Sequence, residues 1–424
     1  MNVLIITRHY KRGGSETYLA RKIRWYIDNN YNILLLVPKK GEIEKDFPDI
    51  FNKIDIIYYP KIEVNPSFFK KNKRKIDEQI INKINRFNPD FIESHNYPAG
   101  FWGDEISSKI KVKNFILLLT QKIKFGEINN LNLIRKQYNE KRLLPLNPFE
   151  SNELLSINNI LVEKIWDDKI YFPVSFSNDF IKNNEIPNND VTKKIKNLKD
   201  NNYTIISTVC RLEPNRSDYI SLLIEKYREI KEIIGNVVFL VVGNGTLFNN
   251  YKNKAKKIDK NIVFVGEVYP DPNYIYKLSD IYVGSAGTTS INSMLVSTPT
   301  IICDSKGKWF RIPFFNDSVF TSVDMKTDYT DFTQVLKLLL QKYKKIKEIQ
   351  NNKSENEFSE DLVNKRFIKY ATNYQHEIVN YNYEKTLYIK KNILKKFIVE
   401  NLKYLPEKLI IKGWFFKKFL EGRL

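Results

Sequence analysis

Arg211 and Arg216 stand five residues apart, just beyond an apolar run at 204–209. A guanidinium makes paired hydrogen bonds to phosphate oxygens, so two of them converging on one strand end suit a diphosphate. Three glycine turns are placed comparably. Gly243-Asn244-Gly245 follows the run 237–242, and Gly266-Glu267-Val268 follows 262–265. Ser285-Ala286-Gly287-Thr288-Thr289-Ser290-Ile291-Asn292 follows 281–283 and opens a short helix. Glycine lets backbone amides approach a ligand, and a helix start offers free N–H groups and the positive end of its dipole to an anion. Gly287, Thr288 and Thr289 make such a phosphate cradle, while Val268 is placed to read a nucleotide base through its backbone. A fourth turn, Gly13-Gly14-Ser15-Glu16, lies between the run 3–6 and a helix. Each feature alone has an ordinary reading: surface arginines, plain turns, a serine cap at Ser15.

The elements that must position these residues form two series. Buried strands are predicted over 3–6, 33–37, 54–58, 91–92 and 115–119, with helices over 17–28 and 74–87. The pattern restarts with strands over 204–209, 237–242, 262–265, 281–283 and 300–303, and helical segments over 218–234 and 247–258. Continuous apolar strands alternating with amphipathic helices predict parallel sheets covered on both faces, hence an α/β fold of two doubly wound, Rossmann-like domains. In such sheets ligands bind beyond the carboxyl ends of the strands, where all these turns fall. The expected layout is an N-terminal domain over 1–172 and a second over 173–358, joined near 171–191 by a helix start at 175–182 and a turn at Pro187-Asn188-Asn189-Asp190. From 331 the chain turns helical, with a stripe at Phe332, Val335, Leu336 and Leu339. A helix over 359–380 is expected to cross back to the first domain, ahead of a basic tail over 381–424.

Composition narrows the function. With 42% hydrophobic and 28% charged residues in 424, the chain supports sizeable cores. Its two cysteines, Cys210 and Cys303, are far apart, and there are three histidines, which argues against a disulfide framework and a Cys/His metal site. The net charge of +20 invites a nucleic-acid reading, but the basic residues are spread along a lysine- and asparagine-rich chain without a nucleic-acid-binding motif. Basic residues follow the first apolar run, the reverse of a signal peptide, and no run is long enough to span a bilayer, so a cytoplasmic protein is expected.

Together these pieces resemble the GT-B glycosyltransferases, specifically glycosyltransferase family 4, in the order of elements over roughly 1–380. Thr208-Val209-Cys210-Arg211-Leu212 resembles the family's Gly-Arg-Leu phosphate segment, and Val241-Val242-Gly243-Asn244-Gly245 its Val-Gly-x-Gly turn. Val263-Phe264-Val265-Gly266 resembles its Val-x-Phe-x-Gly strand end, residues 279–301 its ribose- and phosphate-binding segment, and Gly13-Gly14-Ser15-Glu16 its N-terminal loop. Departures are specific. Cys210 replaces a glycine, Arg216 a lysine and Ser297 a glycine. Of the family's Glu-x7-Glu pair the first has no clear counterpart, and Asn292 holds the place of the second, which contacts ribose in relatives. Lys122 sits near the place of a family histidine, and His95 matches another, though a lone histidine is equally a structural residue.

The resemblance implies two domains facing a cleft and transfer of a sugar from a nucleotide-sugar co-substrate, with retention of configuration. Arg211, Arg216 and the helix start at Thr288–Thr289 would stabilise the departing diphosphate without a metal, and no other cofactor is called for. Gly13, Gly14, Gly243, Gly245, Val268, Gly287, Thr288, Thr289 and Asn292 would hold the donor. Glu16, His95 and Lys122 would face a glycan or lipid-linked acceptor in surface polysaccharide synthesis. The rival to this first reading, which the altered glutamate positions favour, is a catalytically silent subunit that binds a partner enzyme or glycan. The tail over 381–424 carries eleven Lys/Arg against four Glu, interleaved with Trp414, Phe415, Phe416 and Phe419. That pattern suits an anionic membrane surface or an apolar stripe packed on the body.

Overall fold

The computed structural model describes residues 1–8, 14–66, 69, 75–118, 137–138, 140–145, 186–268, 272–316 and 331–373. The chain divides into two compact units, Met1–Val174 with the chain from Val363 onward, and Ser175–Leu362.

The first unit is built on β1 (Asn2–Ile6), β2 (Asn32–Val37), β3 (Asp55–Tyr58), β4 (Phe91–His95), β5 (Asn114–Leu118) and β6 (Leu143–Pro145). They lie in the order β3-β2-β1-β4-β5-β6, every neighbouring pair parallel. Alternation along β1 sends Val3 and Ile5 to one face, against the helix Gly14–Asp28, and Leu4 and Ile6 to the other, against Trp102 and Ile106 of the helix Ala99–Ile110. Burial of such side chains stabilises the sheet by roughly 1.5–3 kcal/mol each. β6 is held through Arg142, which donates to Asp104 at 2.6 Å inside a buried network with Asn114 and Gln137.

The helix Glu360–Asn373 begins in the second unit and ends in the first. Its stripe Val363, Phe367 and Ala371 enters the first unit's core, where Phe367 meets Phe91 and Phe115 edge-on at 5.8 and 6.1 Å. The Tyr370 hydroxyl donates to the Lys141 carbonyl at 2.6 Å.

The second unit repeats the plan with β7 (Thr204–Val209), β8 (Val237–Val242), β9 (Ile262–Gly266), β10 (Ile281–Ser285), β11 (Thr300–Cys303) and the short antiparallel β12 (Phe310–Arg311). The order β12-β11-β10-β7-β8-β9 is the first sheet's order over again, in both cases the dinucleotide-fold order 3-2-1-4-5-6. β8, Val-Val-Phe-Leu-Val-Val, is buried throughout, as a central parallel strand requires. Where one helical segment was expected over 218–234, there are two helices, Asp218–Glu225 and Tyr227–Ile234. Lys226 between them has ψ near zero, and its ammonium reaches Asp331 at 2.8 Å. Asp331 also caps the helix Phe332–Gln341, so one carboxylate ties the break to the next helix. The expected turn at 187–190 is instead a helix start, with Asn189 accepting the Thr192 N–H at 2.9 Å ahead of the helix Asp190–Asp200.

Candidate donor site at the switch point of the second sheet

In both sheets the strand order reverses between the first and fourth strands of the unit, at β1/β4 and at β7/β10. Successive connections leave to opposite sides there, which opens a crevice beyond the carboxyl ends. In the second unit the chain leaves β7 into Cys210-Arg211 and leaves β10 into Ala286-Gly287.

Pairing of β7 with β8 continues past both strands. The Cys210 N–H donates to the Val242 carbonyl (3.0 Å), Leu212 N–H to Asn244 (2.9 Å) and Leu247 N–H to Leu212 (3.0 Å). This contact explains the glycines. Gly243 and Gly245 have φ of +134° and +152°, and a Cβ on them would lie 1.9 Å from the Cys210 carbonyl oxygen and 2.3 Å from that of Leu212. They are needed so that two loops can touch, and the effect is to fix the loop that carries the arginines. The Gly243 N–H in turn donates to the Gly266 carbonyl at 2.7 Å, joining the β9 turn to the same edge. Val268 follows that turn, half-buried against the core.

The start of the helix Thr288–Leu295 is tied to the end of β7 by Tyr282. This hydroxyl donates to Thr289 Oγ1 at 2.8 Å and lies 3.3 Å from the Val209 carbonyl. Gly284 makes room for it, since a Cβ there would stand 2.5 Å from the Tyr282 hydroxyl. Gly287 is in an extended conformation open to any residue, with space for a Cβ, so neither backbone nor packing demands glycine here. Thr288 and Thr289 are half-buried on the first turn.

Arg211 and Arg216 are exposed, and neither forms an ion pair with a described residue. Asn292 is the opposite case. It is 7% exposed, its amide donates to Asn273 Oδ1 at 3.3 Å, and its own Oδ1 is buried without a hydrogen-bond partner among the described residues. An orphaned buried acceptor costs about 1–3 kcal/mol, a penalty that a ligand hydroxyl would relieve. Ser297, where a glycine was the expected residue, has φ +61° and donates to Asn351 at 2.9 Å. Burial pushes the Cys210 thiol up to about 11, which leaves it protonated and unreactive.

Glu213 escaped the sequence reading. It lies between the two arginines in the chain, and its carboxylate accepts the Thr246 hydroxyl at 2.7 Å and the Thr246 N–H at 3.2 Å. The bond from the Thr246 hydroxyl outweighs the small opposing effect of burial. With the Thr246 N–H and the fields of Arg211 and Arg216, it holds the carboxyl below the usual carboxylate range. A carboxylate set between two arginines in one loop was the signal available.

In the first unit, the helix that opens at Gly14 follows β1, with Glu16 half-buried in its first turn, and His95 ends β4. Gly13 and Lys122 lie outside the described residues. His95 is fully buried, with Nε2 2.5 Å from Glu93 Oε1. Glu93 also takes the Lys22 ammonium at 2.7 Å and the Tyr26 hydroxyl at 2.7 Å. Lys22 lies 4.4 Å from the centroid of the Phe367 ring. Burial raises the Glu93 carboxyl, but Lys22 and His95 more than offset it and bring it down to about 2.

Comparison with known proteins gives this edge its context. Residues 190–308 match the model of the family "Glycosyl transferases group 1". No curated protein matches the chain. Among solved structures, a glycosyltransferase from Rickettsia africae ESF-5 is similar over 88% of this chain and 99% of that one, at 16% identity and a TM-score of 0.62. Anabaena Alr3699/HepE in complex with UDP is similar over 87% and 99%, at 14% identity and a TM-score of 0.60. The lipopolysaccharide outer core galactosyltransferase WaaB is similar over 87% and 98%, at 14% identity and 0.55. The chain has the GT-B fold of these structures, and the part of it that matches the glycosyl transferases group 1 model, residues 190–308, contains every candidate donor-site residue described in its second unit.

Proposed function

We propose that this protein is a retaining, metal-independent glycosyltransferase of family 4. It transfers a sugar from a nucleotide sugar to a glycan or lipid-linked acceptor in surface polysaccharide synthesis. The observation that carries the reading is the pair of arginines, without ion-pair partners among the described residues, at the β7 end of the switch point, inside the segment matching glycosyl transferases group 1. UDP, the ligand of Alr3699/HepE, supplies the model for the leaving group.

Arg211 and Arg216 meet the charge that builds on the diphosphate as the glycosidic bond breaks, and the first turn of Thr288–Leu295 adds its dipole. Two guanidiniums supply the compensation that a divalent cation gives elsewhere, hence the metal-independent assignment. The backbone around Gly243, Gly245 and Val268 borders the nucleotide, Gly287, Thr288 and Thr289 the phosphates, and Asn292 Oδ1 accepts a ribose hydroxyl. Glu16 and Lys122, with the loop of Gly13 and Gly14, belong to the acceptor side, while His95, fully buried against Glu93, is left a structural role. The basic tail over 381–424 holds the enzyme on an anionic membrane at the cytoplasmic face, and its removal should weaken binding to anionic vesicles. No described helix is long and apolar enough to cross a membrane.

The replacement of the second glutamate by Asn292 favours one other reading, a silent subunit that binds a partner glycosyltransferase. Release of nucleoside diphosphate from a panel of nucleotide sugars separates the two. An active enzyme releases it from one donor, and Arg211→Ala abolishes release while the protein stays folded. Undiminished turnover by the variant contradicts the assignment of Arg211, and no release from any donor supports the silent subunit.

A further inference from the structure

Glu213 is an odd residue for a site that binds an anion. A carboxylate two residues from one phosphate-binding arginine and three from the other adds a negative charge where positive charge is wanted. A wandering surface side chain would matter little, since screening and mobility reduce its effect. This one is anchored. Both carboxylate oxygens are used, Oε1 by the Thr246 N–H and Oε2 by the Thr246 hydroxyl. Thr246 follows the Gly243–Gly245 turn, which is itself bound to Cys210 and Leu212 through backbone contacts that a Cβ would destroy. The carboxylate is therefore fixed relative to the loop that presents Arg211 and Arg216. It neutralises neither of them through an ion pair.

We propose that Glu213 is a charge filter at the diphosphate end of the donor site, which disfavours a nucleoside diphosphate relative to the intact nucleotide sugar. The inference rests on reading this edge as the donor site. In a nucleotide sugar both phosphates are diesters, each with a single charge. Once the sugar has left, the terminal phosphate carries a second ionisation with a pKa near ~6, so the product holds about one more negative charge at neutral pH. At a separation of roughly 7 Å in water-like surroundings, a fixed carboxylate would weaken binding of a singly charged terminal phosphate about 3-fold and of a doubly charged one about 7-fold, and more where water is partly excluded. The donor is penalised less, because its terminal phosphate lacks the extra charge. The filter lets the arginines stabilise the leaving group during bond cleavage and still release it afterwards.

The test is calorimetric titration of the full chain with UDP, UDP-glucose and inorganic pyrophosphate, for the wild type, Glu213→Gln, Thr246→Val and Arg211→Ala. Glutamine keeps an acceptor for the Thr246 N–H and removes only the charge, while Thr246→Val removes one anchor and keeps the charge. The expected result is that Glu213→Gln binds UDP and pyrophosphate about 5- to 10-fold more tightly and UDP-glucose only about 3-fold more tightly, with the difference shrinking at high salt. Thr246→Val should not reproduce this selectivity. Equal shifts for all three ligands, or weaker binding to Glu213→Gln, would show that Glu213 is a loop latch and overturn the filter alone, provided wild-type binding is lost in Arg211→Ala. If neither wild type nor Glu213→Gln binds any of the three, pyrophosphate included, the donor-site reading fails and the filter with it.

Discussion

The two units share one strand order and place polar residues at the same switch point, yet they treat charge in opposite ways. In the first unit Lys22, Glu93, His95 and Tyr26 are buried together and paired through Glu93 beside the ring of Phe367. In the second, Arg211 and Arg216 stand exposed without ion-pair partners among the described residues, while backbone contacts hold their loop in place. Internal satisfaction makes a rigid support, whereas charge left in solvent remains available to a ligand at little folding cost. The same topology thus builds a braced end in one unit and a receptive one in the other.

The braced end should be the more costly to break. Glu93→Ala removes the carboxylate that pairs with the buried Lys22 ammonium at 2.7 Å and is expected to destabilise the protein by about 3–5 kcal/mol in urea unfolding. The double variant Lys22→Met with Glu93→Leu should recover most of that loss, because no uncompensated charge remains. A double variant no more stable than Glu93→Ala would show that the network's shape matters more than its charge.

At the receptive end the comparable injury is steric. Gly243→Ala drives a methyl into the Cys210 carbonyl and demands a left-handed φ of a residue with a Cβ. A loss of roughly 2–4 kcal/mol is expected, together with lost nucleotide binding as the arginine loop shifts. Retained binding would separate the arginines from the glycine turn.

Acid discriminates the units next. The Glu93 carboxyl falls from an ordinary value near 4.5 to about 2 on folding, so the folded state prefers its ionised form. That contribution, roughly 3 kcal/mol, is fully present above pH ~4.5 and is lost as the pH falls through about 2. Acid titration of stability should show this loss in the wild type and not in the Lys22→Met, Glu93→Leu variant. The smallest change is Tyr282→Phe, which removes the bond to Thr289 and should cost about 1 kcal/mol with a modest weakening of nucleotide binding.

Much of this plan was legible in the sequence. Apolar runs such as 237–242 mark central parallel strands, and glycine turns after them mark carboxyl ends. The helix Ala99–Ile110 was not visible, because Ala99, Gly100, Phe101, Trp102, Gly103 and Asp104 are all buried and leave no polar face to set a period. β12 has two residues, too few for any pattern. Glu93 lay beyond the strand expected over 91–92 and had no assigned role, since its partner Lys22 lies 71 positions earlier and only the fold brings them together. The arginines were found because ligand sites follow strand ends, a local rule. Asn292 was placed by likeness to the family motif, but its orphaned Oδ1 depends on packing that a sequence does not show.

Thermal unfolding of the purified chain with UDP, GDP, ADP and CMP, alongside Arg211→Ala, tests the receptive end most directly. The account predicts stabilisation by one nucleotide, about 2.7 kcal/mol at a hundredfold excess over Kd, and its disappearance in the variant. Stabilisation that survives in Arg211→Ala, or none from any of the four, would contradict it.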